Sequence, residues 1–182
     1  MGSKDNQLTE EEYQNLLNEG KNIKEKLIIS LLGEAGLRAG EVAHTKKNWI
    51  DFQRKQIRIP SKDGNWTPKT KKGARTIPFT HNPCLETLLS KYFTIHEEIG
   101  VSRQTIHTII KQRATTASIP HNVYPHALRS TAAQRYANAG LSAQSIRNIM
   151  GWALLATAEA YIESSGINVE RELEYARKKG TI

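Results

Sequence analysis

Four short groupings in this sequence carry side chains able to do chemistry at a charged centre. In Gly36-Leu-Arg38-Ala-Gly-Glu41 an arginine follows a glycine, and a carboxylate comes three residues later. That spacing puts both side chains on one helical face. The guanidinium is then either a donor held in position by Glu41 or half of a surface ion pair. In Pro68-Lys-Thr-Lys-Lys-Gly-Ala-Arg75-Thr-Ile-Pro78 the lysines lie at a hairpin tip. They are either mobile ammonium groups that reach a phosphate or leaving oxygen, or groups that keep the tip solvated. His126-Ala-Leu-Arg129 again pairs two side chains one turn apart, directly after Pro125. Together they can donate hydrogen bonds to two oxygens of one phosphate; the plain alternative is an ordinary polar helix start. Met150-Gly-Trp152, with Tyr161 nine residues on, by itself reads as a pair of core aromatics.

Charge supplies the next constraint. The 182-residue chain has 26 Lys plus Arg against 18 Asp plus Glu, a net charge of +8. Residues 54–75 hold Arg54, Lys55, Arg58, Lys62, Lys69, Lys71, Lys72 and Arg75 against Asp63 alone, so nearly all the excess sits in that stretch. Positive charge concentrated in this way attracts a polyanion, and nucleic acid is the commonest one in a cell. A single cysteine, Cys84, and six separate histidines exclude a disulfide framework and a cysteine zinc site, and they suit a reducing cytosol. No metal site and no cofactor are expected. With 38% hydrophobic residues the chain is rich enough for a core, yet no apolar run approaches a membrane span. Met1 to Asn6 is too polar for a signal peptide, and residues 1–8 are expected to be a flexible or appended start.

The elements that must position these residues follow from spacing. Thr9 and Glu12 have capping-box spacing ahead of Leu16 and Leu17, and Ile23 to Gly33 is apolar at helical intervals. Gly36 breaks that helix, and another is expected near Arg38 to Val42. Trp49 to Phe52, Ile57 to Ile59 and Thr76 to Phe79 alternate as strands, with Pro60, Asp63-Gly64 and Gly73 as turns. The rest is helical: Leu85–Phe93, Ser102–Ala114, His126–Ala139, Ser142–Met150, Leu154–Ser164 and Glu170–Lys179. Two of these segments, Val101–Lys111 and Leu141–Arg147, resemble the second helix of a helix-turn-helix, a pattern that any capped amphipathic helix produces. The expected fold is α+β and mainly α-helical, with a small antiparallel β-sheet whose basic hairpin packs against a helical domain.

Taken in order, Arg38, a hairpin lysine, His126-x-x-Arg129, Met150-Gly-Trp152 and Ala160-Tyr161-Ile162 resemble the tyrosine recombinase family, the phage-type integrases. The resemblance runs from about Thr9 to Ser165. It implies a catalytic domain over 9–165, followed by a tail helix over 166–182 of the kind that relatives pack on a neighbouring subunit; packing on its own subunit fits equally. It further implies that Arg38 and Arg129 clamp a scissile phosphate, that His126 is the motif histidine and that Tyr161 is the nucleophile. Lys69 is the best match to the hairpin lysine, with Lys71 the alternative. Trp152 stands where many members have His, and an indole N–H donates a hydrogen bond but accepts no proton. Glu41 is expected behind Arg38, and Lys62, Lys71, Lys72, Arg75 and Arg103 are expected to touch DNA.

The activity so implied is site-specific recombination, by cleavage and rejoining of DNA through a covalent 3′-phosphotyrosyl intermediate, without metal or ATP. A silent DNA-binding relative and a type IB topoisomerase are the competing readings. Expected partners are double-stranded DNA and further copies of the chain, a monomer when free assembling into a tetrameric synapse on DNA. The expected location is the cytoplasm, on the nucleoid when bound to DNA. Residues 1–37 are too few for the separate DNA-binding domain that relatives carry, so a catalytic domain taken from a longer protein, or an unusually short member, is expected.

Overall fold

In the computed structural model, residues 7–69 and 74–179 are described, with the side chains of residues 167, 168, 171, 172 and 175 excepted. The chain divides into two units, Met1–Ala132 and Ala133–Ile182. No described helix is long and apolar enough to cross a membrane.

The first unit begins with α1 (Glu10–Asn18), which opens with the expected capping box: the Thr9 hydroxyl accepts from the Glu12 N–H, and the Glu12 carboxylate accepts from the Thr9 N–H. These two bonds satisfy amides that would otherwise lack partners. The next helix, α2 (Ile23–Gly33), is buried nearly all round from Leu27 onward and forms the centre of this unit's core. Its exit depends on Gly36, whose φ of +67° lets the Leu37 N–H turn back to the Leu31 carbonyl at 2.9 Å. A short helix α3 (Ala39–Ala43) follows at once.

The sheet has the order β1–β2–β3, all antiparallel: β1 (Ile50–Asp51), β2 (Gln56–Ile59) and β3 (Arg75–Pro78). Ile57 pairs with Ile77, and Ile59 with Arg75. The buried isoleucines Ile57, Ile59 and Ile77 fix this register, because a slip of one residue would turn them to solvent. Pro78 is tolerated because β3 is an edge strand. The expected first strand is shorter than its alternation suggests. Trp49 closes a 3-10 turn (Lys47–Trp49), and Phe52, 39% exposed, lies in the turn that leads to Lys55. Lys55 adopts a left-handed φ of +51° and its carbonyl accepts from the Phe79 N–H at 2.9 Å, so the chain reverses where further strand was expected.

Two longer helices complete the unit's scaffold, α4 (Pro83–Ile95) and α5 (Arg103–Thr116). Each starts one or two residues from its predicted boundary, because Asn82 and Ser102 act as caps outside the helix. The chain then enters α6 (Pro125–Asn138), within which the division between units falls. The second unit continues with α7 (Ala143–Met150), α8 (Leu155–Ser165) and α9 (Ile167–Lys178). α9 begins three residues before the expected Glu170, because Gly166, at φ +66°, ends α8 and lets a new helix start immediately.

One close approach in the first unit has no room for a methyl group. A Cβ on Gly33 would lie 2.4 Å from the Tyr13 ring, and Tyr13 is fully buried with its hydroxyl donating to Glu34 at 2.8 Å. Gly33→Ala should therefore destabilise the protein by about 1–3 kcal/mol through overpacking, read as a lower urea midpoint, despite alanine's better helix propensity.

Candidate active site

The charged groups that the sequence singled out in the first unit gather at α3, β3 and the start of α6. Arg38 is the N-cap of α3, and Glu41, three residues on, reaches back: its carboxylate accepts from the Arg38 N–H at 2.7 Å and from the Arg38 guanidinium at 3.1 Å. Glu41 is only 1% exposed. Burial alone would push its pKa up. Hydrogen bonds and charge from Arg75, the Arg38 N–H and the charge of Arg129 outweigh that and bring it down to about 2.

Arg75 was expected on DNA, but its guanidinium is engaged inside the protein. It donates to both Glu41 oxygens, at 2.6 and 2.7 Å. This forked pairing ties β3 to α3. The carboxylate thus sits among three guanidiniums, Arg38, Arg75 and Arg129, so the cluster keeps a positive surplus suited to an anion. Arg129 is buried, and its guanidinium donates to the carbonyl of Gly36. The bend after α2 therefore helps hold this arginine. His126, the first residue after Pro125 in α6, is surface-exposed. Partial desolvation and the nearby Arg129 and Arg38 push its pKa below the usual histidine value, so the imidazole is neutral at physiological pH and able to accept a proton.

Arg38, Glu41, Lys69 and Arg103 line one cavity of about 340 Å³, together with Ala39, Gly40, His44, Trp66 and Thr67. Lys69 and Arg103 are exposed. Lys62 is exposed on the same hairpin, whereas Lys71 and Lys72 lie outside the described residues. The walls combine cations with an aromatic side, an arrangement whose charge suits an anion.

In the second unit, Gly151 ends α7 in the left-handed conformation at φ +62°. The Trp152 N–H then returns to the Arg147 carbonyl at 3.1 Å. Met150 is thereby kept in the core while Trp152 emerges beyond the helix. Tyr161, in the middle of α8, is buried and stacks on Trp152, with ring centroids 5.3 Å apart and planes at 17°.

Residues 6–166 match the phage integrase family. The chain belongs to that family. Among relatives, the tyrosine recombinase XerA of Pyrococcus horikoshii is 25% identical over 181 residues, covering 96% of this chain and 62% of its own length. The chain therefore spans about half to three-fifths of the curated relatives it matches. Two solved structures share the fold. The catalytic domain of bacteriophage HP1 integrase superposes with a TM-score of 0.71 at 17% identity, covering 93% of this chain and 94% of that one. The Tn1549 transposon integrase in complex with transposon right end DNA gives 0.69 at 19% identity, covering 92% and 66%.

Within this phage integrase fold, two features escaped the sequence. Arg75 had been grouped with the basic hairpin because its charge matched the lysines, and no local spacing links it to Glu41, 34 residues away. His44 and Trp66 carried no motif, yet their rings stack on the cavity wall at 5.2 Å.

The linkage has a definite sign. Glu41 has a folded pKa near 2, below its model-peptide value of 4.5, so the stability it contributes is complete above about pH 4.5 and is lost as pH falls toward 2. Urea denaturation of the wild type should weaken across that window. The gap between wild type and Glu41→Gln should be widest near neutral pH and close as pH drops below 4.5; an unchanged gap would remove Glu41 as the ionised partner.

Proposed function

We propose that the chain is the catalytic part of a tyrosine-type site-specific recombinase, cutting and rejoining double-stranded DNA. The observation that carries this reading is the Arg38–Glu41–Arg75–Arg129 cluster beside a cavity that Lys69 also lines, in a chain of the phage integrase family.

The chemistry follows from charge. A phosphodiester under attack gathers negative charge on its non-bridging oxygens, and cations fixed in advance stabilise that state. Arginine presents planar forks of N–H donors, and Arg38 and Arg129 supply two of them. Glu41 accepts one hydrogen bond from the Arg38 backbone N–H and one from its guanidinium, so this guanidinium needs little reorganisation when the phosphate arrives. A phenol is a weak nucleophile until it loses its proton. In this reading, neutral His126 takes the Tyr161 proton as the phenol oxygen bonds to phosphorus. The bond from phosphorus to the 5′-oxygen breaks, and the Lys69 ammonium gives that oxygen its proton. Trp152 donates through its indole N–H to a phosphate oxygen. The resulting 3′-phosphotyrosyl ester keeps the energy of the broken bond, so a second 5′-hydroxyl reverses the step without ATP.

Self-association extends the reading. In α9, Val169 is 63% and Leu173 55% exposed, and their i, i+4 spacing makes an apolar stripe. We assign it to a neighbouring copy in the DNA-bound assembly, with the monomer as the free form. Leu173→Glu should leave single-strand cleavage unchanged and shift the DNA complex to smaller species in analytical ultracentrifugation.

Incubation with a pool of nicked duplexes should trap a covalent protein–DNA adduct, whose DNA identifies the cleaved sequence. Tyr161→Phe should form none; an adduct in that variant would displace Tyr161 as nucleophile. Arg38→Ala and Arg129→Ala should each slow adduct formation by at least about a hundredfold while leaving most of the salt-sensitive binding in place. His126 should place the acid limb of the cleavage profile below pH 6.5, in keeping with its lowered pKa, and His126→Gln should flatten that limb.

A further inference from the structure

A lysine on a hairpin is a poor general acid unless something brings its ammonium to one place. The arm that bears Lys69 is anchored three residues earlier. Asp63 and Trp66 bond reciprocally through their backbones, at 2.9 and 3.0 Å, around Gly64-Asn65. Gly64 has a φ of +58°, which such a two-residue turn needs and which glycine adopts without strain. The Asp63 carboxylate pairs with the Lys46 ammonium at 2.8 Å. The Trp66 indole lies against two rings: His44, stacked at 5.2 Å and 23°, and Trp49, tilted at 5.2 Å and 37°. Trp49 is itself buried, so this side of the contact is part of the core.

His44 makes the anchor relevant to the site. It is the C-cap of α3, the helix whose N-cap is Arg38, and its Nδ1 lies 2.8 Å from the Gly40 carbonyl, which orients the ring. Arg38 and the seat of Trp66 therefore share one rigid element, their Cα atoms about 9 Å apart along it. From Trp66 the chain continues through Thr67 and the buried Pro68 to Lys69. Three residues reach at most about 10 Å, and proline removes one backbone torsion from that path. Trp66, Thr67, Lys69, His44 and Arg38 all line the same cavity.

We propose that Trp66, packed against His44 and Trp49, is the positioning residue for Lys69, setting the distance between its ammonium and the Arg38 guanidinium. The inference rests on the reading that Lys69 protonates the departing 5′-oxygen. Trp66 itself touches no reacting atom; it acts by confining the short arm that ends in the lysine, so that proton delivery does not wait on a search by a free hairpin tip.

The test replaces the bridging 5′-oxygen of the duplex recovered from the Tyr161 adduct with sulfur. Thiols ionise near pH 8.5, far below an alcohol, so a thiolate departs without a general acid. In single-turnover cleavage of the oxygen substrate, Trp66→Ala should be slower by about 30-fold, and Lys69→Ala by about a hundredfold or more. On the sulfur substrate both variants should come within about threefold of wild type, the behaviour of a lost acid. Trp66→Phe, which keeps a ring against His44 and Trp49, should retain most of the rate. Trp66→Ala/Lys69→Ala should be no slower than Lys69→Ala alone, because the two losses are one.

If sulfur rescues Lys69→Ala but not Trp66→Ala, Trp66 supports something other than proton delivery and the proposal is overturned. If sulfur rescues neither, Lys69 is not the acid, and the assignment of Lys69 falls together with the inference built on it. Equal activity of Trp66→Ala and wild type on oxygen also overturns it.

Discussion

A single buried carboxylate organises the first unit. Glu41 is out of water, ionised, and engaged by Arg38 from its own helix and by Arg75 from the far strand of the sheet. Leaving a buried charge without a partner costs about 3–5 kcal/mol, so each guanidinium is held where the carboxylate needs it. The surplus of positive charge that results is the feature available to a phosphate. The Arg38 guanidinium is one-fifth exposed while Glu41 beneath it is closed, which is the arrangement of a donor braced from behind.

The rest of the unit serves that cluster. Gly36 turns the chain after α2, places Arg38 at the start of α3 and offers its carbonyl to Arg129, so one left-handed residue fixes two arginines. The antiparallel pairing of β2 with β3 puts Arg75 opposite Ile59, and the buried isoleucines set the register that lets the guanidinium reach Glu41. On the hairpin's outer part, the Lys46–Asp63 pair and the contacts of Trp66 with His44 and Trp49 hold the arm before Lys69. The positive stretch over residues 54–75 is thus not uniform. Arg58 pairs with Asp51, Lys55 with Glu86 and Arg75 with Glu41, while Lys62 and Lys69 face solvent.

The second unit solves a different local problem. Tyr161, proposed above as the nucleophile, is buried against Trp152. Gly151 makes this pairing possible by turning the chain sharply after α7, so the Met-Gly-Trp sequence is explained by a helix ending in a left-handed residue. Near-parallel stacking of the two rings buries apolar area on both faces of the contact.

Local rules made much of this legible from the residues alone. Capping boxes, glycine stops and apolar spacing located nearly every helix, because those signals act within a turn of the chain. Arg38–Glu41 and His126–Arg129 were visible for the same reason, being one helical turn apart. The first strand was shortened where Trp49 entered a 3-10 turn and Phe52 a tight reversal, since alternation does not reveal where pairing stops. Arg75 is the sharper case: by composition it belonged with the hairpin lysines, and only strand register carries it inward to Glu41. Trp66 and His44 likewise meet across 22 residues of sequence with no motif between them. The sequence by itself determined which chemical groups exist and which helix faces they occupy; tertiary structure decided which cations are spent on the protein's own carboxylates and which are left for a ligand, because that choice depends on contacts between distant segments.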